Sequence, residues 1–278
     1  MRDFDKNITL HYNDCTPNIA HFPGKEKEYF SNVLNALAFN KVKKPENLDI
    51  VVVHTLDLTP DNCPLLRQFK QNNIEYYNSI DKEIKWKATD KLKYIEKALA
   101  KCTKENVLIL DANDVAIISF DNILARFASC GYDILYNGTS VRYPDMHLDT
   151  VENRDQYGIF KYLNAGCCIG KLSALRKFYR EAKYYQEIFD ETSEFKTRSE
   201  QFFIRIAFDL TDEKVFFDYK SEIFQCMHFV DITSKSTPTD IYLEGDKDGL
   251  KWMGRRKRTS IQNEEDSHLW FGNRWQTY

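Results

Sequence analysis

The stretch Asn106–Ile118, NVLILDANDVAII, constrains the fold of this chain more than any other. Four apolar residues, Val107 to Leu110, run directly into Asp111 and then Asp114. A short, continuous apolar run closed by turn-forming residues reads as a strand buried on both faces. Ending in two carboxylates, it delivers charge to the edge of a sheet, where open α/β sheets bind their ligands. Spacing leaves two readings of the pair open. Asp is a good turn former and helix cap, and on spacing alone a turn is the plainer reading. The same turn also lets both side chains face one side, close enough to hold one divalent cation.

A chain of 278 residues suits one large domain, or one domain with appendages, and can bury a sizeable core. The formal charge of −3 argues against a general nucleic-acid surface. With 42% hydrophobic and 14% aromatic residues, the chain belongs with folded globular proteins rather than disordered ones. The first thirty residues hold no apolar run of signal-peptide type, and no stretch is long and apolar enough to span a bilayer. Seven cysteines, an odd number with no CxxC pair, suggest reduced thiols and a cytoplasmic location rather than a disulfide framework.

Residues 1–47 read as an appendage packed on the core. Within it, Glu26–Phe39 places Tyr29, Phe30, Val33, Leu34 and Leu37 at helical spacing. His11 and His21 could in principle ligate a metal, but neither has a partner at ligand spacing, and the plainer reading is surface histidines. The main domain, residues 48–278, opens with LDIVVVHT, Leu48–Thr55, a β-branched run of the kind found in sheets covered on both faces. A helix from Cys63 to Gln71 and a strand from Ile74 complete a βαβ opening. The pattern then predicts a helix over Ala88–Cys102, the acidic strand, a helix over Phe120–Ser129 and a strand over Asp133–Tyr136.

The polar segment from Asn137 to Gly158 reads as a long loop of the kind that forms lids or substrate walls. YLNAGCCIG, Tyr162–Gly170, sets two glycines around a small apolar core, which fits either a close backbone approach to a ligand or strand, or a plain turn. Ser173–Phe189 reads as a helix whose aromatic residues Phe178, Tyr184 and Tyr185 face the core. Ser199–Leu210 is a further helix with Ser199 as its N-cap, and a carboxylate such as Glu200 is favourable in its first turn. Val215–Cys226 reads as a strand pair, or as a strand and turn. KWMGRRKR, Lys251–Arg258, is either a solvated face or a flap that reaches phosphate oxygens. HLWFGNRW, His268–Trp275, closes the irregular C-terminal section.

Four of these stretches, LILDANDV, YLNAGCCIG, SEQFFIRIAFD and FFDYKSEIFQ, fall in an order and at separations that resemble one family. It is the glycosyltransferase domain of the procollagen lysyl hydroxylase and collagen glucosyltransferase and galactosyltransferase group. The resemblance covers roughly Leu48 to Cys226. It implies an α/β protein of GT-A type, a Rossmann-like mixed sheet flanked by helices. It also implies Mn²⁺- or Mg²⁺-dependent transfer of a sugar from a nucleotide diphosphate, a UDP-sugar, to a hydroxyl acceptor on a glycan or protein.

Under this resemblance Asp111 and Asp114 match the metal-binding aspartates. Thr55 matches a position near the nucleotide, Lys91 a basic position at a helix start, and Asn164, with Gly166 in the same YLNAG stretch, a sugar- or acceptor-side position. Gln201 matches directly, and Glu200 falls where the family has an acidic run. If transfer inverts the anomeric centre, Glu200 is the candidate base; if it retains configuration, Glu200 orients the acceptor or sugar. The chain departs from the pattern in three places. Asn113 stands where the family has an aromatic residue that stacks on uracil, and the acidic run shrinks to Ser199-Glu200. Gly272-Asn273 follow Phe271 rather than the ligand His, which leaves His268 as the candidate third ligand and His228 as another. These departures keep a second reading in view, a degenerate GT-A module that binds without catalysing.

Overall fold

A computed structural model describes residues 8–11, 15–24, 26–29, 31–143, 151, 154–192, 199–227, 240–243 and 252–253. From the N-terminus, β1 (Ile8–His11) and β2 (Ile19–His21) precede two short helices, α1 (Glu26–Tyr29) and α2 (Ser31–Leu37). Next come β3 (Leu48–Val52), α3 (Pro64–Gln71), α4 (Lys91–Leu99) and β4 (Asn106–Leu110). They lead to β5 (Val115–Ile117), α5 (Ile123–Cys130), β6 (Ile134–Thr139) and β7 (Tyr162–Lys171). After α6 (Leu172–Thr192) and α7 (Glu200–Leu210) come β8 (Val215–Asp218), β9 (Phe224–Cys226), β10 (Asp240–Leu243) and β11 (Trp252–Met253).

The main sheet has the order β3-β4-β7-β6-β8. β3 pairs parallel with β4, and β6 with β8, while β7 runs antiparallel to both its neighbours. This is a Rossmann-like mixed sheet flanked by helices, as the sequence led us to expect. Side chains alternate across a strand, and β3 and β4 divide accordingly. Val51, Val107 and Ile109 pack on one face with Leu92, Ile95, Leu175, Phe178 and Phe203 from α4, α6 and α7. Leu48, Ile50, Val52, Leu108 and Leu110 pack on the other with Leu66 and Phe69 of α3 and Phe127 of α5. A strand covered on both sides is apolar at nearly every position, which is why these runs show no polar alternation; Asp49 in β3 is the exception, its carboxylate accepting from Thr103 N and Lys104 N.

Beyond Asp114 the chain leaves the main sheet. β5 joins a second, three-stranded sheet of order β5-β2-β9, with β2 antiparallel to β5 and parallel to β9. β2, from the segment read as an appendage, is therefore the middle strand of this sheet, and its Ile19 and Ala20 are fully buried. Polar side chains hold it in place. Gln68 on α3 donates to Leu37 O and Ile117 O and accepts from Ile117 N; Asn18 donates to Ser119 O and Asp121 O. The buried Asp218 carboxylate accepts from Glu222 N, Ile223 N and Phe224 N, which fastens the turn between β8 and β9. These bonds satisfy backbone groups that would otherwise be buried without partners.

Several sequence expectations need correction. The segment from Ile74 pairs with β3 through Tyr77 alone, and the next residue, Asn78, donates its side-chain amide to His54 O. Asn137 to Thr139, expected in a loop, extend β6. Phe178 is buried, but Tyr184 is exposed, because six residues along a helix place it on a different face. Val215–Cys226 holds two strands, β8 and β9, which enter different sheets. β1, β10 and β11 form a separate antiparallel ladder. His228, His268–Trp275 and most of Lys251–Arg258 lie outside the described residues. All seven cysteines are free, and no helix among the described residues is long and apolar enough to cross a membrane.

Candidate active site at the end of the acidic strand

β4 carries Asp111 out of the sheet at its carboxyl end, and the turn Asp111–Asp114 then leads into β5 of the second sheet. Three contacts hold this turn. Asp111 N donates to Gly166 O at 2.7 Å, Phe22 N donates to Asp114 O at 2.7 Å, and the Cys63 thiol donates to Ala112 O at 3.1 Å. The turn thus belongs to β7, to the end of β2 and to the start of α3 at once.

The turn borders a pocket of about 520 Å³ at the carboxyl ends of β3 and β4. Thr55, Asn113, Lys91, Glu200 and both aspartates line it. Lys27, Ile84 and Trp86 line it as well, and none of these three had been marked by sequence reasoning. Trp86 is 40% exposed and stacks on Tyr94 with the ring planes 20° apart. It offers a flat aromatic surface to the pocket.

Lys91, the first residue of α4, is buried and forms ion pairs with Asp111 and with Glu200, the latter at 3.0 Å. Burial works against its charge, but Asp111 and Glu200 outweigh that cost and raise Lys91 above the ordinary lysine value. Burial pushes the Asp111 carboxyl above the ordinary aspartate value, against the pull of Lys91. Burial opposes the charge of Asp114 too, yet His21 beside it holds that carboxyl below the usual range.

His21 is the residue that sequence reasoning misplaced. Expected at the surface, it is 1% exposed, and its Nε2 stands 3.6 Å from Asp114 Oδ1. One ligand atom each from His21, Asp111 and Asp114 lie within 4.8 Å of one another. The signal available was the short apolar run NIAHF, held between Pro17 and Pro23, which resembles a strand more than a surface loop.

A break in the main sheet makes room for the ring. Tyr136 pairs with Cys168, but the next residue, Asn137, pairs with Asn164, so Ala165–Cys167 bulge away from β6. Asn137 bonds His21 Nδ1 at 2.8 Å across this opening. A methyl group on Gly166 would stand 2.4 Å from His21 Cε1 and 2.6 Å from Nε2. The glycine in YLNAG is thus a close approach to a side chain of another strand. Gly166→Ala is expected to push the ring out of its slot and destabilise the fold by about 1–3 kcal/mol. Thermal unfolding checks this, and an unchanged midpoint would show that the slot yields freely.

Among the described residues, the others marked from sequence fall outside the pocket lining. Gln201 donates its amide to Tyr143 O and Leu163 O and accepts from Ala165 N, which ties α7 to β7. Asn164 Oδ1 accepts from Gly166 N. Ser199 caps α7 as expected, accepting from Gln201 N.

No protein-family model matches the chain, and no curated protein matches it. Among solved structures it is similar to 4-diphosphocytidyl-2C-methyl-D-erythritolsynthase from Anaerococcus prevotii DSM 20548. That likeness has 18% identity and a TM-score of 0.32, covering 67% of this chain and 74% of that chain. At that distance the functional reading rests on the site itself.

Proposed function

We propose that this protein is a metal-dependent glycosyltransferase of GT-A type, which moves a sugar from a UDP-sugar to a hydroxyl group on a glycan or protein. The observation that carries the reading is the acidic pair Asp111 and Asp114 at the edge of a pocket of nucleotide-sugar size, about 520 Å³. The order of the four family-like stretches supports it, since two of them meet here through the bond from Asp111 N to Gly166 O.

Asp111 and Asp114 would hold a divalent cation, Mn²⁺ or Mg²⁺, through hard carboxylate oxygens. Such a cation would supply positive charge against the negative charge that develops on a departing diphosphate. Lys91 sets Asp111 in place and adds a fixed positive charge in the same region. Thr55 and Asn113 offer hydrogen bonds to the nucleoside, and Trp86 supplies the stacking face that Asn113 cannot. Glu200, held by Lys91, removes the acceptor proton in an inverting transfer. Gln201, Asn164 and Gly166 support the wall and make no direct contact with the donor in this reading.

A screen of nucleotide sugars for Mn²⁺-dependent hydrolysis tests the proposal without knowledge of the acceptor. Absence of hydrolysis and of metal-dependent UDP binding would sink it. Trp86→Ala is expected to weaken UDP binding by about 1 kcal/mol, roughly fivefold, if the base stacks there. Calorimetry with UDP reads this directly, and unchanged affinity would move the base elsewhere. One observation favours the second reading, a binding module without chemistry: Lys91 already neutralises Asp111 with an ammonium of the protein's own. The same calorimetry, with and without Mn²⁺, separates the two.

A further inference from the structure

We infer that His21, from the N-terminal segment, is the third protein ligand of the metal centre, and that Asn137 positions it. This rests on the metal-dependent reading of Asp111 and Asp114 and specifies how that site is completed.

Two aspartates near each other do not by themselves make a metal site. Here the second observation is the imidazole. His21 is almost fully buried, and its Nε2 has no hydrogen-bond partner among the described residues; the same holds for Asp114 Oδ1, 3.6 Å away. Two polar atoms left unpaired at one buried point destabilise a fold unless something satisfies them. A cation between them would satisfy both at once. The donors converge from separate parts of the chain, since β2 supplies the imidazole and the turn after β4 supplies both carboxylates, all within 4.8 Å. Two carboxylates and one neutral imidazole balance a divalent charge, and this mixed oxygen and nitrogen set suits Mn²⁺. Asp111 has two oxygens, so binding Lys91 through Oδ1 leaves the other for a cation.

The far side of the ring is equally specified. Metal-binding histidines usually donate their other N–H to a fixed acceptor, which sets the tautomer and the ring orientation. Asn137 lies 2.8 Å from Nδ1 and is fully buried, with its Oδ1 unpaired among the described residues. A half-turn of this carboxamide interchanges its oxygen and nitrogen with almost no change of shape. In that orientation Nδ1–H donates to Oδ1, and the Nε2 lone pair faces the aspartates. The β7 bulge and the absent Cβ of Gly166 hold the slot in which the ring lies.

The test is Mn²⁺ binding, read by calorimetry and by electron spin-echo spectroscopy, which detects a directly bound imidazole nitrogen. Wild-type protein should bind Mn²⁺ and show the nitrogen signal. His21→Gln should lose the signal and at least about tenfold in affinity, and Asn137→Ala should weaken binding while keeping the signal. Should His21→Gln fail to fold, a variant that keeps His21 as its sole histidine, with His11, His54, His147, His228 and His268 replaced by Gln, still decides the matter, because it must retain the nitrogen signal. Loss of the signal there, or binding unchanged in His21→Gln, would overturn the role of His21 while leaving the aspartate site intact. No Mn²⁺ binding by wild type would overturn the metal-dependent reading itself, a result distinct from the other two.

Discussion

Asp111→Asn is expected to lower Mn²⁺-dependent turnover of the donor by a factor on the order of 10³, with the fold retained. The amide keeps the shape of the carboxylate and can still take the backbone bond to Gly166, because that bond uses Asp111 N rather than its side chain. It removes one of two negative charges that would hold the cation. It also removes the charge partner of Lys91, which keeps Glu200 as its second anion. The measurement is donor hydrolysis across a Mn²⁺ titration, with circular dichroism as the check on folding. Near-normal turnover in this variant would refute the metal role of Asp111. Loss restored by high Mn²⁺ would show weakened affinity rather than lost chemistry.

Lys91→Met is expected to cost about 3–5 kcal/mol of stability, the usual result of removing one partner from a buried ion-paired group. For a chain of this size that is a fall of about 10 °C in the unfolding midpoint. Lys91 lies between Asp111 and Glu200, so its loss leaves two carboxylates facing each other without compensation. The pH dependence follows from the raised value of Lys91 in the fold. A lysine raised on folding contributes its full stabilisation below the ordinary lysine range of about 10.4 and loses it only as pH climbs through the higher folded value. At pH 7 the whole contribution of Lys91 is present, and the variant's deficit should be larger at pH 8 than at pH 6, because burial already raises Asp111 and loss of the ammonium lets the stranded carboxylates take up a proton at the lower pH. Mn²⁺ should recover part of it, because a cation at Asp111 takes over the neutralising task. If Mn²⁺ raises the midpoint of the variant no more than that of the wild type, the carboxylates do not share a cation.

These two variants also separate the residues that were legible in the sequence from those that were not. The acidic strand could be read directly: an unbroken apolar run ending in carboxylates fits a covered strand that opens at a sheet edge, and fits little else. The N-cap at Ser199 was equally readable, because it depends on neighbours within a turn. The partnership of Lys91 with Asp111 and Glu200 was not, since it spans 20 and 109 residues of separation. Trp86 lay unnoticed in a polar stretch, and only the exposed stack on Tyr94 beside the pocket draws attention to it.

His21 shows the same limit most clearly. A lone histidine in a short run carries no sign of what lies opposite it. Its neighbours come from the β4–β5 turn and from β6, and its space comes from a bulge and a glycine in β7. By itself, then, the sequence determined the covered strands, the helix faces and the acidic turn, because those follow from local periodicity and short-range chemistry. Tertiary structure alone decided what surrounds the turn: that β2 runs beside it, that Lys91 is buried against it, and that an imidazole faces both carboxylates. Such contacts depend on how strands leave one sheet for another, and no spacing along the chain records that.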